Sequence, residues 1–332
     1  MSLADALQRA WLHRGPVAYL LWPLSAAFGG VAALRRWAYR HRLLPSHHAG
    51  IPVVVVGNVV AGGSGKTPLV IGMLQHLGAR GLKAGLVSRG YGRTSTGCRE
   101  VTGTSSAAEA GDEALLVARR CQVPVFVASD RTAAMRALRA AYPATQVIVS
   151  DDGLQHYALG RDIEVCVFDQ RGVGNGWLLP AGPLREPWPR PVDLVVRTGA
   201  SAISGFEARR RLAGIAFQRD GTRLTLADLS ARRLMAVAGI GQPAAFFAML
   251  RDAGLKLEQA IALSDHHAFD RPVSVPDGCE LVCTEKDAVK LWELQPQAWA
   301  VPLALELEPA FWPAFDRLLD AKLSSRHGLQ TA

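Results

Sequence analysis

Lysine is scarce in this chain of 332 residues: only Lys66, Lys83, Lys256, Lys286, Lys290 and Lys322 stand among 37 cationic side chains, so arginine carries the positive charge. Cysteine is scarcer. There are five, an odd number with no CxxC pair, which excludes a disulfide framework, argues against a zinc site and fits a reducing compartment. Cys166, Cys279 and Cys283 fall in apolar, strand-like runs and read as small core residues. Charged residues make up 20% against 49% hydrophobic, which excludes a disordered or collagen-like chain. No internal repeat or long low-complexity tract is present.

What is present is length for two domains and ample material for a core. The net charge of +8 suits a phosphate-rich partner, whether nucleotide, nucleic acid or anionic lipid. No aromatic-interleaved basic patch supports nucleic acid, and none is expected as a partner.

Residues Val17 to Leu34 (VAYLLWPLSAAFGGVAAL) carry no charge. Eighteen residues at ~1.5 Å rise give roughly 27 Å, close to the ~30 Å hydrocarbon layer. Pro23 and Gly29-Gly30 weaken a straight spanning helix. Arg35, Arg36, Arg40 and Arg42 follow, and by the positive-inside tendency that flank faces the cytoplasm. A membrane anchor, spanning or lying in the interface, is the preferred reading. A buried helix of the globular domain and a cleaved signal peptide are the alternatives.

Beyond residue 50, apolar strands alternate with helical stretches, the pattern of a helix-covered parallel sheet. Strands are expected at Ile51–Val56, Ala84–Ser88, Val123–Ala128, Gln146–Ser150, Ile163–Phe168 and Asp193–Arg197. Helices are expected at Thr67–Ala79, Asp112–Arg120 and Arg131–Ala141. A Gly/Pro-rich stretch from Gly172 to Pro191 reads as a functional loop. After about Ser204 a shorter α/β region follows, with strands at Arg233–Ala238, Glu280–Cys283 and Val301–Leu305 and helices at Pro243–Ala253, Glu285–Leu291 and Pro309–Leu323. The expected fold is α/β: a P-loop NTPase-like, mostly parallel sheet with helices on both faces (46–204), a smaller α/β domain (205–332) and an apolar membrane-associated segment (1–45).

Strand VVVV leads into GNVVAGGSGKTP, residues 57–68, and then a helix. Gly62, Gly63, Ser64 and Gly65 form a loop whose backbone N–H groups turn toward phosphate, Lys66 supplies charge to the β/γ-phosphates, and Thr67 offers a hydroxyl to Mg²⁺. Val60 stands where the general motif wants glycine. Ala61 stands where dimerising P-loop ATPases carry a signature lysine. QVIVSDD, residues 146–152, ends a strand in paired carboxylates, Asp151 and Asp152, suited to a cation, and Gln155 and His156 follow at the same edge. Asp112 and Glu113 open a helix, where capping is the simpler reading. Asp265-His266 offers either an oriented acid/base pair or a paired loop histidine. Glu285 and Lys286 offer a charge cluster or a phosphate contact.

Together these motifs resemble the tetraacyldisaccharide 4′-kinase family of lipid A biosynthesis. The resemblance rests on GNVVAGGSGKTP, SRGYGR (88–93), GDE (111–113), DDGLQH (151–156), GNGWLLPAGPLREP (174–187), DHHAF (265–269) and TEKDAVKL (284–291), in that order. It implies phosphoryl transfer from ATP, with Mg²⁺, to the 4′-hydroxyl of tetraacyldisaccharide 1-phosphate at the cytoplasmic face of the bacterial inner membrane, giving lipid IVA, with no obligate protein partner. It also implies Asp112 as catalytic base with His266 its partner, and Lys66 on the phosphates. Thr67, Asp151, Asp152 and Glu113 would serve the metal, and Tyr91, His156, Arg185 and Glu186 the acceptor. Two other readings remain: a membrane-associated ATPase switch, and a P-loop kinase of another small metabolite.

Overall fold

In the computed structural model, which describes residues 10–330 apart from Ser64 and Ala200, the run Val53–Gly57 forms β1, buried at every position. Its side chains alternate between two cores: Val54 and Val56 pack on one face of the sheet, Val53 and Val55 on the other. A strand covered on both sides reads as a continuous apolar run, because each face has helices to bury against.

The apolar helix α1 (Pro16–Arg40) precedes β1. After β1 come α2 (Lys66–Ala79), β2 (Ala84–Ser88), β3 (Arg99–Val101), α3 (Ala107–Ala110), α4 (Asp112–Cys121), β4 (Val125–Val127), α5 (Arg131–Ala141), β5 (Val147–Asp151), β6 (Ile163–Phe168) and β7 (Leu194–Thr198). The rest comprises β8 (Phe206–Leu212), β9 (Ile215–Phe217), β10 (Arg223–Thr225), α6 (Leu226–Leu229), β11 (Leu234–Ala238), α7 (Pro243–Asp252), β12 (Leu257–Ala262), β13 (Glu280–Thr284), α8 (Glu285–Leu291), β14 (Trp299–Val301), β15 (Leu303–Leu307) and α9 (Phe311–Gln330).

Nine strands form a large sheet in the order β15-β8-β7-β6-β1-β5-β2-β4-β3, and six form a small one in the order β10-β9-β14-β13-β11-β12. In the large sheet only the edge strands β15 and β3 run antiparallel. β1 lies between β5 and β6, and Val56 is level with Asp151. The loop after β1 and the carboxylates after β5 therefore emerge side by side at the carboxyl ends of parallel strands, where such sheets bind ligands.

Two features differ from the sequence expectation. The strand expected at 301–305 is two strands in two sheets: Pro302, which has no N–H to give a ladder, separates β14 in the small sheet from β15 in the large one. The tail also returns to the large sheet. β8 and β15 pair there, and α9 buries Phe311, Phe315 and Leu319 in its core. By sheet membership the small unit thus occupies the segment between β8 and β15, not everything after 204. Cys166 and Cys283 are buried as expected, but Cys279 is only half-buried and precedes its strand.

α1 is long and apolar enough to cross a membrane by length and composition. It is not a buried core helix. Ala18 and Ser25 alone are buried, while Leu20 is 79% exposed and Val31 69%. One stripe docks on the 172–191 loop: the Ser25 hydroxyl donates to Leu178 O at 2.7 Å and accepts from Ala181 N–H at 2.9 Å. Gly29 lies so close that a Cβ there would sit 2.8 Å from Leu178 Cδ1.

Candidate active site

The phosphate loop is held open by its neighbours. Gly62 and Gly65 take φ of +96° and +78°, a region that glycine enters at no steric cost. Lys66 Nζ donates to Asn58 Oδ1 at 3.3 Å and lies 3.4 Å from Asp152 Oδ1. Asn58 Nδ2 donates to Gly62 O at 3.2 Å, and Gln155 Nε2 donates to Asn58 O at 3.1 Å. On the other side Arg171, paired with buried Asp169 at 2.7 Å, donates to Gly63 O at 2.9 Å. Ser64 lies outside the described residues. Asn58, Asp169 and Arg171 were not anticipated, although Asp169 follows β6 much as Asp152 follows β5, and that signal was legible.

Asp151 closes β5 and is 5% exposed, with Oδ1 lacking a hydrogen-bond partner among the described residues. Burial, then the nearby Glu113 charge, push its carboxyl well above the usual range. A buried, unpartnered carboxylate oxygen beside a second carboxylate fits a divalent cation. Asp152 is differently placed. Its carboxylate is taken by Lys66 and by Arg185 Nη1 at 3.1 Å, and these cations outweigh burial to hold its pKa low. Among the described residues no three His, Cys, Asp or Glu side chains converge as a ready-made cage. Thr67, Asp151, Asp152 and Glu113 therefore do not enclose a metal by themselves. Magnesium ordinarily takes one or two carboxylates and completes its shell with phosphate and water.

The pair Asp112 and His266 meets across the two sheets. Gly111 is the N-cap of α4, so Asp112 is its first helical residue and not the cap. Asp112 Oδ1 accepts from Glu113 N–H at 2.9 Å, while Oδ2 accepts from His266 Nδ1 at 2.9 Å and Lys290 Nζ at 3.3 Å. Burial would raise this carboxyl, but the His266 hydrogen bond and the charges of Lys286, His266 and Lys290 together hold it at about 2. His266 is half-buried, and its pKa is raised first by the hydrogen bond to Asp112. Its Nε2 lies 3.3 Å from Lys286 Nζ, which also pairs with Glu113 at 3.3 Å. The Tyr91 ring packs against that of His266, tilted by 55° with centroids 4.9 Å apart.

A cavity of about 920 Å³ joins these parts. Gly62, Gly63, Gly65, Lys66, Thr67, Tyr91, Glu113, Asp151, Asp152, His156, Arg185, Glu186 and His266 line it, and Phe28, Val31, Arg35 and Arg36 of α1 form one wall. Asp112 does not reach it. The member of the pair expected as the base is the enclosed one, and its expected partner faces the cavity. His156 Nε2 sits 3.2 Å from Asp130 Oδ1, and burial, then Arg131, lower its pKa. Glu186 is 4% exposed and engaged by Arg190 at 3.2 Å, so it is a buried member of the wall more than an open contact.

A model of the tetraacyldisaccharide-1-P 4′-kinase family matches residues 17–324. The chain belongs to this family. It is accordingly an ATP-dependent kinase of lipid A biosynthesis, and the ATPase-switch and other-metabolite readings fall away. Similar relatives named tetraacyldisaccharide 4′-kinase include that of Acidovorax sp. (strain JS42), 54% identical over 98% of this chain and 97% of its own. That of Polaromonas sp. (strain JS666 / ATCC BAA-500) is 53% identical over 98% of this chain and 100% of its own. The crystal structure described as the "apo" form of LpxK from Aquifex aeolicus in complex with ATP superposes with a TM-score of 0.79 at 27% identity, covering 91% of this chain and 99% of that one.

Proposed function

We propose that this chain transfers the γ-phosphate of ATP to the 4′-hydroxyl of tetraacyldisaccharide 1-phosphate, giving lipid IVA, with His266 as the general base. The observation that carries the assignment is the inverted exposure of the pair: His266 lines the cavity while Asp112 is enclosed with both oxygens engaged. A carboxylate held at about 2 is a weak proton acceptor. Neutral His266, with Nδ1–H given to Asp112, presents Nε2 to the acceptor. As the sugar oxygen attacks the γ-phosphorus and the bond to the β-phosphate oxygen breaks, Nε2 takes the hydroxyl proton, Asp112 stabilises the imidazolium, and ADP leaves. Lys286 moves off Nε2 as the hydroxyl arrives.

The loop N–H groups and Lys66 cradle the phosphates, and Tyr91, Arg185 and His156 lie where the disaccharide would pass. Asp151, Glu113 and the Thr67 hydroxyl are the groups suited to hold Mg²⁺. When bound, the ion neutralises charge on the β/γ oxygens. The acyl chains need an apolar surface, and α1 supplies one. Its exposed flank, with Arg35, Arg36, Arg40 and Arg42 at one end, supports seating in the interface at the cytoplasmic face, while the Ser25 stripe holds it to the globular part.

The test is acceptor-dependent turnover in detergent. His266→Ala should lower kcat by roughly 10²- to 10⁴-fold while ATP still binds. Unchanged turnover would return His266 to a structural role.

A further inference from the structure

Arg210 belongs to β8, the last strand of the large sheet before the chain crosses to the small one. Its guanidinium lies against the phosphate loop: a Cβ on Gly65 would meet Nη2 at 2.8 Å, Nε at 3.3 Å and Cζ at 3.4 Å. Gly65 is favoured by its φ of +78°, and the guanidinium packs directly on its open face. Nη1 donates to Gln242 Oε1 at 2.9 Å, at the N-cap of α7. Among the described residues Gln242 is its one hydrogen-bond partner, and no carboxylate forms an ion pair with it.

That placement is unfavourable without an anion. A guanidinium stays charged, and this one is half-buried at the positive end of α2, with Lys66 opening that helix and Arg171 on the same loop. Burial pulls its pKa down, Asp169 offsets part of that, and Arg171 adds to it. Arg171 has Asp169 and Lys66 has Asp152, but Arg210 has no such partner. It lines the cavity, and its planar fork suits phosphate oxygens.

We propose that Arg210 is a ligand of the nucleotide's phosphate chain, delivered to the phosphate loop by the strand that joins the two sheets. The proposal rests on the reading of residues 57–68 as the ATP phosphate site. It adds a cation that the loop motif does not contain and that lies 144 residues downstream of Lys66.

The experiment is calorimetric titration of Mg-ATP and Mg-ADP into the full chain in detergent, for the native protein, Arg210→Ala, Arg210→Lys and Lys66→Ala. Arg210→Ala should weaken ATP by about tenfold or more, with KM for the lipid acceptor little changed. The unliganded melting temperature should change little, because the variant loses the Gln242 hydrogen bond but no ion pair. Arg210→Lys, which keeps charge but not the fork, should recover part of the loss, and it carries the test if the alanine variant fails to fold. Native ATP affinity in the Arg210 variants, with affinity lost in Lys66→Ala, would overturn the proposal and leave the phosphate site intact. A melting temperature lowered without a change in affinity would make Arg210 a packing residue. Native affinity in Lys66→Ala as well would instead remove the reading of the loop itself.

Discussion

Asp112 and His266 form a hydrogen-bonded pair of a buried group and one that faces the cavity. The carboxylate is fixed by Glu113 N–H, His266 and Lys290, and its charge in turn raises the histidine. If His266 is the base, as proposed, it must be neutral, and turnover should rise with pH through its raised value, above the ordinary 6.5. Asp112→Asn removes the anion that raises it, so the acid limb of the kcat profile should move to lower pH while kcat at its plateau falls. An acid limb that stays in place in Asp112→Asn would assign the titration to another group. The phosphate loop and the paired carboxylates after β5 were readable because their signals are local: glycines, a lysine and an acidic end on an apolar run. The exposure order of the pair was not. It is set by Lys286 and Lys290 on α8, more than 170 residues from Asp112, and no local pattern reports which member they enclose.

At the scale of elements, α1 and the 172–191 loop act as one unit. The Ser25 hydroxyl gives and takes a buried hydrogen bond within an otherwise apolar helix. Ser25→Ala nearly keeps the volume but leaves Ala181 N–H without its partner and Leu178 O with the Gly182 N–H alone, which should cost about 1–3 kcal/mol. A lowered melting temperature and faster proteolytic release of the N-terminal helix would follow. Unaltered melting and proteolysis would mean that the helix is held elsewhere. The parallel strands of the large sheet were legible because burial on both faces forces continuous apolar runs. β8 was not, because FEARRRL places three consecutive arginines on a strand near the sheet edge and gives no alternation. The split at Pro302 was present in the sequence as a missing N–H, but an unbroken apolar pattern on both sides outweighed it.

At the scale of the whole molecule, two sheets converge on a cavity lined by the glycine-rich loop after β1 and, on one wall, by the apolar helix. The exposed Leu20, Leu24, Val31 and Leu34, followed by four arginines, predict binding to vesicles containing anionic lipid. Added salt should weaken that binding but not abolish it, since screening removes only the electrostatic part. A chain that stays free of such vesicles at low salt would contradict the membrane seat.

The most direct measurement is label transfer from γ-labelled ATP with Mg²⁺ in detergent, with and without tetraacyldisaccharide 1-phosphate, for the native chain and His266→Ala. The account predicts label in a bis-phosphorylated lipid from the native chain, dependent on the acceptor and nearly absent in the variant. ATP consumed at the same rate with and without the lipid, and no lipid labelled, would contradict it.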